Sequence, residues 1–430
     1  MAFTAASSSS KREMKSRFGK KPTLLGEKAG KESCCIFRVP PSLVEINQKA
    51  YHPQIVSVGP YHHGSDHLTM IEEHKRRFVR SLFGRTDDTW GNLDLCYQAV
   101  ALLEAEIREC YSETSRFGSS QLVEMMVVDG CFIIELVCEL LDSAKRDPDD
   151  PIFKMDWILP ILMRDLLKLE NQIPYFVLQK LFDISVPNPV DTLQILILKF
   201  FSYSFEKSGP VGANVSEFEG KHLLHLVRDS FRPPTSRSQS PPSKFNKQLI
   251  QPAMKLEQAG IKFETRNRPN ICFLDVKFCN GVLKIPPLRM DDFITYFILN
   301  CVAFEQCYGH YEKFFTDYAA FMGCLINNPT DVGFLSDHKI IENYYGTDKE
   351  VTRFFEKVCK DVAFDMGKCY LYKLIEDINQ YYWNDCHLKW ATFKHTYFNT
   401  PWSFISPLAA LILLVLTLFQ VLLAYHPPKS

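Results

Sequence analysis

Apolar and polar positions follow a helical period over most of this chain. LTMIEEHKRRFVRSLF places Leu68, Ile71, Phe78 and Leu82 along one side of a charged surface, the pattern of an amphipathic helix. A second helix is predicted from Leu93 to Tyr111. Leu122 to Leu141 is apolar nearly all round and reads as a buried helix. Its Glu124, Asp129, Glu135 and Glu139 make it a core helix and not a bilayer span, since acids at mid-membrane are costly. Trp157 to Phe182 predicts a helix ending after Gln172, before Pro174, with another following. Further helices are predicted over Leu193–Phe205, Pro252–Ala259 (stopped by Gly260), Asp291–Asn327 and Asp348–Tyr382.

Strand signals are sparse. Ile55 to Val58 is a short β-branched run among Pro and Gly. Asn280-Gly281 between two apolar runs is the strongest hairpin signal in the chain. Residues 1–33 are Ser-rich and basic, with Lys11, Arg12, Lys15, Arg17, Lys20 and Lys21, and predict a disordered tail. Residues 206–246 turn Pro-, Ser- and Arg-rich and predict an exposed loop. Within that loop Asn214-Val215-Ser216 is a glycosylation sequon, relevant only on a lumenal face.

Phe404 to Ala424 (FISPLAALILLVLTLFQVLLA) holds no charge, and about 1.5 Å of rise per residue predicts a helix able to cross a ~30 Å hydrocarbon core. Trp383, Trp390, Tyr397 and Trp402 precede it where an interfacial aromatic belt belongs. The expected architecture is therefore mainly α. It comprises a large helical domain over 34–399 with a few short strands and a hairpin, one C-terminal transmembrane helix, and a short tail, 425–430. The lipid bilayer is the expected partner of Phe404–Ala424. No signal peptide precedes the domain, and Lys389 and Lys394 lie before the span, so the domain is expected in the cytosol.

Charge adds an exclusion. A formal net charge of −1 and a pI of about 6.9 give no overall footprint for nucleic acid. Several of the 14 cysteines, among them Cys131, Cys138, Cys301 and Cys324, sit in apolar helical runs, where reduced thiols behave as small hydrophobes.

The candidate chemistry is thin. His52, His62, His63, His67 and His74 cluster early, but adjacent His62 and His63 do not aim at one ion from a regular element, and no HExxH or close Cys pair accompanies them. GxSxG, P-loop and GxGxxG motifs are absent, so no catalytic residue, cofactor or metal is assigned. Asp129, Glu170 and Glu305 sit in apolar surroundings and need partners, for which Arg38, Lys75, Arg164 and Lys168 are candidates. With His62 and His63 these acids mark a possible polar site.

The segments RVPPSLVEINQKAYHPQIVSVGPYHHG (Arg38–Gly64), MMVVDGCFIIEL (Met125–Leu136) and DLLKLENQIPYFVLQKLF (Asp165–Phe182), with AMKLEQAGIKF and NCVAFEQC, resemble the plant DUF247 family, also called UPF0481. The resemblance runs in order from Cys35 to Ala424. It implies a plant membrane-associated protein of undefined biochemical activity, and no catalytic residues to carry over. Some members are tied to pollen-side self-incompatibility, which implies recognition. The expected function is a membrane-anchored, non-catalytic recognition or signalling module that binds an unknown protein. The alternative is an enzyme or small-ligand-binding protein with a site near His62, His63 and the buried acids.

Overall fold

A computed structural model describes residues 22–84, 89–142, 146–187, 189–205, 220–233, 250–266, 271–360 and 362–384, and the helix at 401–425. Its centre is the helix Ser119–Leu141 (α4), on which Thr69–Gly84 (α1), Thr89–Leu102 (α2), Tyr175–Ser185 (α6) and Leu193–Phe205 (α7) all pack. The apolar girth seen in the sequence is used on every side: Met126, Cys131, Phe132, Leu136 and Val137 are all buried. The segment predicted as one helix to Tyr111 breaks at Leu103, giving α2 and the short Glu104–Glu109 (α3).

Ile158–Leu166 (α5) ends before Gln172. Residues 167–173 instead form a turn whose side chains fold inward, and Pro174 caps α6. Within 206–246, expected as an exposed loop, Leu223–Ser230 (α8) is a helix buried along its whole length. Its short apolar run, flanked by Pro- and Ser-rich sequence, carries no long periodic signal.

The second half begins with Ala253–Gln258 (α9) and a small sheet. Lys262–Thr265 (β1) pairs parallel with Val282–Ile285 (β3), which pairs antiparallel with Lys277–Cys279 (β2). The turn between β2 and β3 is Asn280-Gly281, with φ of 50° and 75°, the left-handed pair that a two-residue hairpin demands. Leu288–Met290 (β4) pairs parallel with Ile341–Asn343 (β5), a ladder too short to show in the sequence. Asp292–Cys307 (α10), Phe314–Leu325 (α11), Pro329–Asp337 (α12), Asp348–Val358 (α13) and Tyr372–Tyr382 (α14) complete the body. One continuous apolar core runs from Cys34 to Ile378 and joins both halves.

Two expectations are corrected here. The run Ile55–Val58 forms no strand; its backbone donors are taken by side chains, as described below. The mainly helical fold with few short strands is found, but the transmembrane helix at Phe404–Ala424 is not supported. The helix Pro401–Tyr425 (α15) forms, yet among the described residues no helix is long and apolar enough to cross a membrane.

Candidate functional site

The extended segment 52–64 carries backbone N–H groups without a neighbouring strand. Such buried donors must be satisfied elsewhere. The end of α5 and the turn after it, residues 165–172, supply the acceptors. One oxygen of Asp165 accepts from the N–H groups of Gln54 and Ile55, both at 2.8 Å, and Val56 at 3.2 Å. The amide of Asn171 accepts from Val58 N–H at 2.7 Å and donates to Val56 C=O at 3.1 Å, imitating one rung of a ladder. Lys168 closes the far end, bonding Asp165 at 2.8 Å and His52 C=O at 2.5 Å.

Asp129, on the buried face of α4, continues the clamp. It accepts from Gly59 N–H at 2.8 Å and from the fully buried Lys75 ammonium at 2.6 Å. Lys75 also reaches Glu72 at 2.6 Å and Ser57 C=O at 2.5 Å, so each of its three protons has an acceptor. Gly59 is held at φ +73°, and a Cβ there would lie 2.5 Å from Gln172 C=O. Gly59→Ala is expected to cost about 2 kcal/mol or more, because left-handed strain and a backbone clash add. Thermal unfolding checks this, and a shift under about 1 °C would show that the segment moves aside at little cost.

Glu170 forms the next node. It accepts from Val39 N–H at 2.8 Å, from Arg38 at 2.7 Å, and meets His62 Nε2 at 3.0 Å. Burial alone would raise this carboxyl, but the bonds from His62, Val39 and Arg38 hold it below its ordinary value. Arg38 also lies over the Tyr61 ring at 4.3 Å and reaches Glu113 at 3.3 Å. Beside it opens a polar cleft of about 230 Å³ lined by Arg38, Tyr61, Glu113 and Arg116.

The sequence candidates thus disperse. His62 and Glu170 touch. His63 turns the other way, its ring edge-on to Phe117 at 5.5 Å. Asp129 instead holds Gly59 N–H and Lys75. Glu305 lies in a separate cluster that sequence reading missed. There Arg228 of α8, fully buried, bonds Glu305 at 2.6 Å and Asp229 at 2.6 Å, donates to Glu312 C=O, and lies 3.9 Å over the Phe314 ring. His222 and His225 flank it, and burial lowers both well below the ordinary histidine value, leaving them neutral. Asn214 lies outside the described residues. Among those described, no three His, Cys, Asp or Glu converge to hold a metal ion.

Asp129, Asp165, Glu170, Arg228 and Glu305 thus each fix one stretch of chain to another. The unusual surface lies elsewhere, on α2. Its inner side buries Cys96 and Val100, while outward it presents Trp90, 76% exposed, Leu102, 87% exposed, and Leu95 and Tyr97. Trp90 and Tyr97 are seven residues apart along one edge, Leu95 and Leu102 along the other, with exposed Asp94 and Gln98 between. A surface helix normally places polar side chains there.

A mainly helical body of this kind, clamped through its 38–64 and 165–172 segments, falls in a plant group without an assigned activity. A family model described as "Plant protein of unknown function", DUF247, matches residues 36–416, and the chain belongs to that family. It is 41% identical to a UPF0481 protein of Arabidopsis thaliana, covering 93% of this chain and 88% of that one. A putative UPF0481 protein from the same plant is 22% identical, covering 90% and 89%. No solved structure matches.

Proposed function

We propose that this chain is a non-catalytic protein-binding module whose docking surface is the outward face of α2. The observation that carries the reading is the four large apolar or aromatic side chains, Trp90, Leu95, Tyr97 and Leu102, turned to solvent from a helix whose other side is rooted in the core. Aromatic anchors surrounded by polar positions are the composition of binding hot spots. The clamps of the 38–64 and 165–172 segments favour the same reading. Acids that could serve catalysis accept from backbone N–H groups, and His62 meets Glu170, so these groups are engaged in holding the chain.

Proximity labelling in plant tissue, with wild type and a Trp90→Ala/Leu102→Ala variant side by side, tests it. Both positions are exposed, so fold stability is expected to change by less than about 1 kcal/mol. At least one labelled protein is expected to fall by roughly tenfold or more, the effect of losing a hot-spot anchor. Identical labelling from the two chains would sink the proposal.

A further inference from the structure

We propose that the polar cleft beside Glu170 is a binding site for a small phosphate, as the free ion or as a compact phosphate monoester. Its walls come from residues 38, 60–61 and 113–116, none of them on α2, so its occupancy does not depend on a protein docking there.

The cleft is built on a guanidinium that is held from behind. Arg38 gives Nη1 to the buried carboxylate of Glu170 at 2.7 Å and Nη2 to Tyr61 C=O at 3.2 Å, and it lies 4.3 Å over the Tyr61 ring. Its side chain still keeps 38% exposure and lines the cleft. Nε meets Glu113 at 3.3 Å, so among the described residues three of its five N–H groups have acceptors and two remain.

Arg116, exposed on the same cleft, is tied at one corner. Its Nη2 donates to His63 C=O at 3.1 Å, and its guanidinium lies 5.0 Å from the Phe117 ring. The Ser115 oxygen accepts from Phe117 N–H at 3.3 Å, which leaves its own hydroxyl proton to donate, and the exposed Thr114 adds a second hydroxyl. The stretch is pinned by Thr114 N–H on Thr23 C=O at 3.0 Å and by Glu113 N–H on the Tyr61 hydroxyl at 3.4 Å. Donors ordered before a ligand arrives lose less freedom when it binds.

Charge and size select the ligand. The lining carries two guanidiniums against one carboxylate, Glu113. The charge of Glu170 lies behind Arg38 and is already met by Val39 N–H, Arg38 and His62. At about 230 Å³ the cleft is smaller than the ~300–1,000 Å³ of sites for drug-sized molecules, which suits one compact anion. Guanidinium forks match oxyanions through paired bonds. Two forks and two hydroxyls offer more donors than the roughly four acceptor positions of a carboxylate, and so favour phosphate. Glu113 marks the place: its 3.3 Å contact with Arg38 is long for a charged pair, and it is the group that an incoming phosphate displaces.

Phenylglyoxal modification of arginines in the full chain, read by mass spectrometry in inorganic phosphate against chloride at equal ionic strength, is the test. About 10 mM phosphate is expected to slow modification of Arg116 roughly threefold, as for a Kd of about 5 mM, while the exposed Arg76 and Arg80 keep their rates. Glu113→Gln removes a like charge and is expected to lower the phosphate concentration for half-protection about threefold. Arg116→Ala is expected to abolish the protection of Arg38, with circular dichroism unchanged. Glycerol 3-phosphate protecting at lower concentration than inorganic phosphate would assign the monoester, and the reverse the free ion. An unchanged Arg116 rate in phosphate, equal slowing at Arg76 and Arg80, or equal protection by acetate would overturn the phosphate site.

Discussion

Glu305→Ala is expected to destabilise the fold by about 3–5 kcal/mol, the cost of removing one partner from a buried charge pair. The carboxylate accepts from Arg228 Nε at 3.0 Å and Nη2 at 2.6 Å, and from the backbone N–H groups of Phe315 at 3.1 Å and Thr316 at 2.7 Å. The last two start α11, so one side chain ties α8, α10 and α11 together. Truncation leaves those donors without an acceptor and a fully buried guanidinium balanced by Asp229 alone. Urea unfolding measures the loss. Arg228→Met/Glu305→Leu is expected to recover the part due to the unpaired guanidinium but not the part due to the Phe315 and Thr316 N–H groups, which leucine leaves without an acceptor. A loss under 1 kcal/mol for Glu305→Ala would mean that Asp229 suffices to hold the arginine.

The same cluster shows what the sequence makes legible. Glu305 stands out because an acid inside VAFEQC needs a partner, and the pattern correctly announces a helix there. Its partner is invisible: Arg228 sits in a stretch where Pro and Ser dominate, and only tertiary burial makes Leu223–Ser230 a helix. The hairpin at Asn280-Gly281 is legible because the left-handed conformations are a local demand of two residues. Val56 is misleading for the opposite reason. Its β-branched neighbours signal a strand, but the ladder is replaced by Asp165 and Asn171, more than a hundred positions away. Of the five residues singled out for a polar site, only His62 and Glu170 meet. The exposed face of α2 went unremarked in the sequence: Trp90 lies before the helix expected over Leu93–Tyr111, and no local pattern marks Leu95 and Leu102 as turned to solvent. Phe404–Ala424 is the converse case, where apolar composition alone suggested a span that no described helix supports.

Stability is expected to fall as pH rises from 7 to 8.5, and Asp317→Asn is expected to make that fall smaller by about 1 kcal/mol. Asp317 lies in the first turn of α11, where burial, followed by repulsion from Glu305, pushes its carboxyl up to about 8 despite a bond from Tyr370 N–H at 3.1 Å. In the unfolded chain the group titrates near 3.8. The folded protein therefore binds a proton that the unfolded chain lacks everywhere between those values. Its favourable contribution is complete only below the lower value and is lost as pH climbs through the upper one, at up to about 1.4 kcal/mol per unit.

A second buried carboxyl acts with the same sign. Glu139 is pushed up to about 7, by burial first and then by Glu135, with which it shares a hydrogen bond. Its share of the pH dependence is largely spent by neutrality. Buried thiols such as Cys272, Cys307 and Cys359, pushed up by burial, also cost stability as cysteines of the unfolded chain ionise, so it is the difference between wild type and Asp317→Asn that isolates Asp317. Asparagine there keeps an oxygen for Tyr370 N–H and carries no charge to desolvate, so at pH 8.5 the variant should be the more stable protein by on the order of 2 kcal/mol or more. Urea midpoints for both chains at pH 6, 7 and 8.5 decide the matter. If the two chains keep a constant difference across that range, Asp317 is already ionised at neutrality and Tyr370 and Lys313 outweigh its burial.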